Sequence, residues 1–189
     1  MKSAELGIKQ ATNTQFVSLT WRLNHIEERL QHLQLRHELF TLPGSSDDYL
    51  FVGLPARLGY LRQALNQRRT RPNADAYQLQ ELTRMLKDLE RDLGLRESLQ
   101  AQRSLINYLN HQDEVYHSLI RRWRQLANAM VSIDALTFSD AALADQKREE
   151  LEAGLKELGR CLQSTTPQIN SSLVTNTSQA DLTKLAQAS

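Results

Sequence analysis

The feature that most constrains this chain is an uninterrupted heptad pattern of large apolar residues near its N-terminus. Successive members are three or four residues apart, which is the spacing of the a and d positions of a coiled-coil helix. The pattern lasts for more than three heptads and predicts one helix over about residues 13–40, roughly 40 Å long. Its seam consists of Phe16, Leu19, Leu23, Ile26, Leu30, Leu33, His37 and Phe40.

Charged residues flank this seam, and such residues influence the choice of a partner helix more than they stabilise the pair. With Leu23 at position a, they are Arg22, Arg29 and Arg36 at g, and Glu27 with Gln34 at e. A short helix cannot cover a seam of this length. We therefore expect either the long helical segment predicted at residues 96–134 or a helix of a partner subunit to cover it.

Leucines at helical spacing predict further helices after a turn that contains Pro43 and Gly44. The short apolar run 49–52 has no second run to pair with, so we interpret it as a packed linker. The sequence Asn110–Asp113 is suited to a kink, which leaves open whether the longest segment is one helix or two. The predicted segments are a linker at 41–53 and helices at 54–66, 74–93, 96–134 and 140–163.

These segments predict an all-α protein. We expect an elongated bundle of four or five helices with coiled-coil pairing over residues 1–163. Ser, Thr, Asn and Gln dominate from residue 164 onward, and such a composition cannot bury enough apolar surface to order itself. We therefore predict that residues 164–189 form a disordered tail.

Composition narrows the class of protein further. The 189 residues carry a formal net charge of +1, which does not favour a strongly basic nucleic-acid binder. The single cysteine, Cys161, excludes an intrachain disulfide and a zinc site built on several thiolates. The sequence contains no apolar run of the roughly 20 residues that span a bilayer, and its N-terminus lacks the pattern of a signal peptide. We expect a protein of the cytosol, or of the nucleus in a eukaryotic cell.

The sequence contains no recognisable catalytic or cofactor-binding motif. None of the five histidines forms an i, i+4 pair with another, so no metal site is predicted. His37 lies on the seam, where we interpret it as a helix-end residue. We predict no catalytic residue, no metal and no cofactor.

Two arginine clusters are candidates for electrostatic contact with a partner. One cluster, Arg68, Arg69 and Arg71, is predicted to lie in a loop. The other, Arg121, Arg122 and Arg124, surrounds Trp123, which falls on a heptad seam and is therefore predicted to be core. Nucleic-acid proteins usually show a longer basic face, and guanidinium groups bind carboxylates of a protein partner equally well.

The sequence therefore favours a non-enzymatic scaffold or adaptor subunit that contacts other protein subunits through helical faces. A second copy of the chain is one candidate partner. Two alternatives stay open at this point: a helical protein that contacts nucleic acid through its arginine clusters, and an assembly or export chaperone that shields a partner's helix.

Overall fold

The computed structural model contains five helices and no strand among the residues it describes. It describes the backbone of residues 2–40, 50–51, 53–70 and 76–186, and the side chains of residues 14–35, 50–51, 53–67 and 77–165. The helices are α1 (Lys2–Phe40), α2 (Leu54–Thr70), α3 (Ala76–Asn107), α4 (Glu114–Leu136) and α5 (Ala141–Ala186). The predicted all-α bundle is thus confirmed, while coiled-coil pairing stays a prediction.

The seam of α1 is covered within the chain, by α2 and α3 together. Its central members are at most 6% exposed, and Phe16 packs against the same core at the edge. The side chains of His37 and Phe40 lie outside the described residues. Our expectation that one long helix covers the seam was incomplete, because α2, although short, covers part of it and α3 covers another part. The buried members are Leu19, Leu23, Ile26, Leu30 and Leu33.

The flanking arginines of α1 show that α1 and α3 run parallel. Arg22 pairs with Glu90 and Arg29 pairs with Glu97, each through two guanidinium nitrogens with shortest distances of 2.6 and 2.7 Å. From the first pair to the second, the residue number increases by seven on α1 and by seven on α3, and only parallel helices allow this. The charged edges that we assigned to partner choice therefore join two helices of one chain.

Helix α3 is the central helix, because it packs against each of the other four helices. We predicted that it ends at residue 93, but it continues to Asn107 and Gly94 lies in its interior. The reason is packing: Leu89, Leu93 and Leu99 are fully buried, and this burial outweighs the roughly 1 kcal/mol that a helical glycine costs.

The helical conformation is interrupted between α3 and α4, at residues 108–113. The predicted segment 96–134 is therefore two pieces of helix, and the break falls where Asn110–Asp113 predicted a kink. There the Asn110 side-chain oxygen accepts a hydrogen bond from the backbone N–H of Gln112 at 3.1 Å, a local bond that stabilises a turn.

The other helix boundaries also differ from the predictions. Helix α1 begins at Lys2 rather than near residue 13, and α2 extends to Thr70 rather than residue 66. Asp140 caps α5, since its carboxylate accepts the backbone N–H of Leu143 at 3.0 Å.

Helix α5 passes residue 163, where we predicted that it ends. Ser164 and Thr165, the first residues of the predicted tail, donate hydrogen bonds to the Cys161 carbonyl oxygen in the manner of helical hydroxyl residues. The side chains after residue 165 lie outside the described residues, so disorder of the tail stays a prediction about the chain in solution.

The predicted packed linker has two described residues, Leu50 and Phe51, and both are buried in the core. None of the described helices is long and apolar enough to span a bilayer.

Candidate functional site

The predicted site residues fall into three groups in the structure. The seam residues of α1 from Phe16 to Leu33 pack inside the chain, so a partner reaches them only if α1 leaves the bundle. Arg68 and Arg69 belong to the last turn of α2, not to a loop as predicted, because α2 runs to Thr70. Their side chains, and all of Arg71, lie outside the described residues. The third group is the arginine cluster of α4.

The arginines of α4 flank a buried tryptophan, as the heptad pattern predicted. Trp123 is fully buried, and its indole N–H donates to the Leu99 carbonyl oxygen at 2.7 Å. Arg103 of α3 lies over its ring, 5.5 Å from the centroid. Arg121 and Arg124 are exposed, whereas Arg122 is half-buried. The structure therefore brings two of the three arginines to one solvent-exposed face.

Sequence reasoning missed a buried cluster of charged side chains where α2, α3, α4 and α5 meet. We call it the ionic core, and its members are Arg57, Asp92, Arg96, Asp134 and Arg148. Arg148 binds Asp92 through two hydrogen bonds of 2.7 and 2.9 Å, and Arg57 Nη1 lies 2.7 Å from Asp92 Oδ2. The same Nη1 is 3.0 Å from Asp134 Oδ1, and Arg96 also pairs with Asp134.

The ionic core extends to neighbouring backbone and side-chain oxygens. Arg96 Nε donates to the Leu50 carbonyl oxygen at 2.6 Å, which attaches the segment before α2 to α3. Arg148 donates to Thr137 Oγ1 at 3.1 Å and to Asp145 at 2.7 Å. Asp145, at the half-exposed edge, supplies a third carboxylate against the three guanidinium groups. This arrangement fixes the relative positions of four helices.

Burial and ion pairing act against each other on the pKa values of this region. Burial acts to lower the pKa of Arg148, but the hydrogen bond and the charge of Asp92 outweigh it, so the pKa lies above its ordinary value. Burial lowers the pKa of Arg96 against the attraction of Asp134. Arginine stays charged under both shifts, so Arg96 and Arg148 hold fixed positive charges at any ordinary pH.

The sequence carries only a weak signal for the ionic core. Asp92 and Arg96 are four residues apart on α3, a spacing that also occurs in exposed ion pairs of a solvated helix surface. Their neighbours Leu93 and Leu95 are both buried, which places apolar residues on both sides of the charged pair. That flanking pattern was the available indication.

A groove of about 1050 Å³ lies between α1 and α3 on the outside of the bundle. Small residues of α3 line it, and the Arg29–Glu97 ion pair lies within it. Tyr108 lines the groove and is 77% exposed, and Leu105, one turn earlier on the same face of α3, is 53% exposed. The residues that line the groove are Arg29, His32, Leu33, Gly94, Glu97, Ser98, Gln100, Ala101, Ser104 and Tyr108.

Helix α1 also exposes large apolar side chains on the side away from its seam. Trp21 is 67% exposed and stacks on His25 with ring centroids 5.7 Å apart. Val17 is 65% exposed, and Leu35, one turn after the groove residue His32, is 56% exposed. A tryptophan with this much exposed surface is characteristic of interaction surfaces, where tryptophan is enriched.

Within the described part of the chain, no group of three or more His, Cys, Asp or Glu side chains is arranged to hold a metal ion. No family model, no curated protein and no solved structure matches this chain.

Proposed function

We propose that this protein is a non-enzymatic adaptor or scaffold subunit of the cytosol that binds a helix of a partner protein in the groove between α1 and α3. The observation that carries the proposal is the combination of this groove with the exposed aromatic side chain of Tyr108 that lines it. Gly94, Ser98 and Ala101 line the groove, and small residues allow a helix to approach closely. Its volume corresponds to roughly two turns of a helix about 10 Å across.

The exposed aromatic residues support a protein partner. Trp21 and Tyr108 offer large amphipathic surface at low entropic cost, as interface anchors do. A chaperone that shields a partner helix would use the same groove, and it differs from an adaptor in releasing its partner after assembly.

The experiment is co-purification of tagged protein from its native source, followed by identification of the partners by mass spectrometry. Ala101→Arg places a charged side chain in the groove, and it should abolish recovery of the partner. Ala153→Arg, at an exposed position of α5, is the matched control and should retain it. Circular dichroism must show that both variants are folded. Recovery of the same partners with both variants, or of none with the wild type, would contradict the proposal.

A further inference from the structure

The arginines of α4 differ from the other described arginines in their partners. Arg121, Arg122 and Arg124 form no ion pair with any residue that the structure describes. Arg103 donates to the Asn107 side-chain oxygen at 2.6 Å in addition to covering Trp123. Other described arginines pair with a carboxylate, among them Arg22, Arg29, Arg57, Arg62, Arg84, Arg91, Arg96, Arg148 and Arg160.

Two of these α4 arginines lie on one exposed strip, which we call the α4 outer face: His117, Arg121, Arg124 and Asn128. These residues follow each other by four, three and four positions, so they lie on one side of the helix, and all four are exposed. Helix α4 has no acidic residue between Glu114 and Asp134. The α4 outer face therefore carries two guanidinium groups and no acidic residue among its own four positions. The exposed Glu114, three positions before His117, is the acidic residue of α4 at the N-terminal end of this face.

We propose that the α4 outer face binds an acidic helix of a partner protein, whose carboxylates at matching spacing pair with Arg121 and Arg124. A guanidinium group holds a carboxylate through two parallel N–H bonds, as Arg22 and Arg29 do with glutamates of α3. Val131, one turn beyond Asn128 and 37% exposed, offers an apolar contact at the end of the strip. This surface serves as a second binding site in the adaptor role proposed above and rests on that role.

The dimensions of the α4 outer face favour an acidic helix over a nucleic acid. From residue 117 to residue 128 the strip is only roughly 17 Å long. Two guanidinium groups would neutralise about two phosphates, which gives a salt dependence with a log–log slope of only about −2. Trp123, the aromatic residue between the arginines, is fully buried and cannot stack on a base.

The test uses the full chain and a labelled synthetic helical peptide of about 20 residues with glutamates repeating every three or four positions on one face. Binding is followed by fluorescence anisotropy. The matched probe replaces each glutamate with glutamine, and a single-stranded oligonucleotide of similar charge is the third probe. We expect the glutamate peptide to bind and the glutamine peptide to bind at least about tenfold more weakly.

The variant Arg121→Gln/Arg124→Gln should weaken binding of the glutamate peptide by about tenfold. Arg160→Gln is the matched control, because Arg160 is an exposed arginine that already pairs with Glu157 at 3.0 Å, and this variant should bind as the wild type does. Unchanged binding by the double variant, equal binding of both peptides, or tighter binding of the oligonucleotide would each overturn the proposal. The groove variant Ala101→Arg should bind the glutamate peptide normally, so failure of the groove proposal and failure of this one are distinguishable.

Discussion

Gly53 and Gly94 occupy opposite environments, and substituting each residue tests the packing around it. A Cβ atom at Gly53 would lie 2.5 Å from Asp134 Cγ, and Asp134 cannot move aside without breaking its ion pairs in the ionic core. At Gly94, apart from the neighbouring backbone of its own helix, no atom lies within 4 Å of the position of a Cβ. Gly94 is also inside a helix, where alanine is more favourable than glycine.

We expect Gly53→Ala to lower the free energy of unfolding by about 1–3 kcal/mol. We expect Gly94→Ala to raise it by about 0.5–1 kcal/mol. Urea denaturation of the two variants and the wild type, compared at equal m-values, measures both effects. A shift in the same direction for both variants would show that the environment of one glycine is not as the structure places it.

Asp92 is the residue on which the ionic core depends most. Asp92→Asn removes the charge that Arg57 and Arg148 share, so each of these two buried guanidinium groups loses one of its two carboxylate partners, and the fold should lose about 3–5 kcal/mol. Asp88→Asn, one turn earlier on α3, is the matched control. Burial raises the pKa of Asp88, so its charge is disfavoured in the fold and removing it should cost little. Equal losses in chemical denaturation would contradict this account of the ionic core.

The shifted pKa values of two carboxyl groups, Glu152 and Asp88, predict how the stability of the fold depends on pH. The hydrogen bond from Arg91 at 2.6 Å holds the pKa of Glu152 below its ordinary value of 4.5. This ion pair therefore stabilises the fold above pH 4.5, and the contribution is lost as the pH falls through the lowered pKa of Glu152. The Tm of Glu152→Gln should lie below that of the wild type at neutral pH, and the difference should close in acid. For Asp88→Asn, whose carboxyl pKa is raised, any difference at neutral pH should have the opposite sign, so a matching trend would contradict the assignment.

At the scale of elements, α1 is held to the bundle by its seam rather than by its charged edges. Ile26 is 1% exposed, so Ile26→Asp buries an unpaired carboxylate between α1 and its neighbours and should cost several kcal/mol. Glu27→Gln removes only a partly exposed ion pair with Arg62, and it should change stability by no more than about 1 kcal/mol. Thermal unfolding followed by circular dichroism compares the two variants. Similar Tm values would show that this register of the seam is wrong.

The break between α3 and α4 shows how elements end where local chemistry and packing agree. Ile106, in the last turn of α3, and Leu109, two residues after its end, are both buried, and after them come polar residues such as Asn110, whose side chain bonds to the nearby backbone. Gly94 has a lower helix propensity than the residues at which α3 ends. It does not end the helix, because buried leucines continue on both sides of it. Packing thus decided between two candidate boundaries that propensity alone would rank in the other order.

At the scale of the whole molecule, coverage of the α1 seam changes what the isolated chain should do in solution. An uncovered seam of this length predicts self-association, whereas the structure buries the seam within one chain. Among the side chains that the structure describes, the exposed large apolar residues do not form another continuous seam. We therefore expect light scattering across a dilution series to give the monomer mass at low concentration. A dimer that persists on dilution would indicate that α1 is exchanged between two chains or that another face associates.

The fold class and most of the core could be predicted from the sequence, because the recurrence of apolar residues every three or four positions is a local property of the chain. The buried seam of α1, the buried leucines of α3 and the position of Trp123 all follow from it. Two results required the tertiary structure. The first is the identity of the helices that cover α1. It depends on the length of α3, and packing rather than helix propensity decides that length.

The ionic core depends on contacts between residues far apart in sequence, as between Asp92 and Arg148, 56 positions apart. An aspartate four residues from an arginine has the same sequence pattern on a solvated surface and in a buried cluster. Only the helices packed over it decide whether water or two guanidinium groups surround that carboxylate.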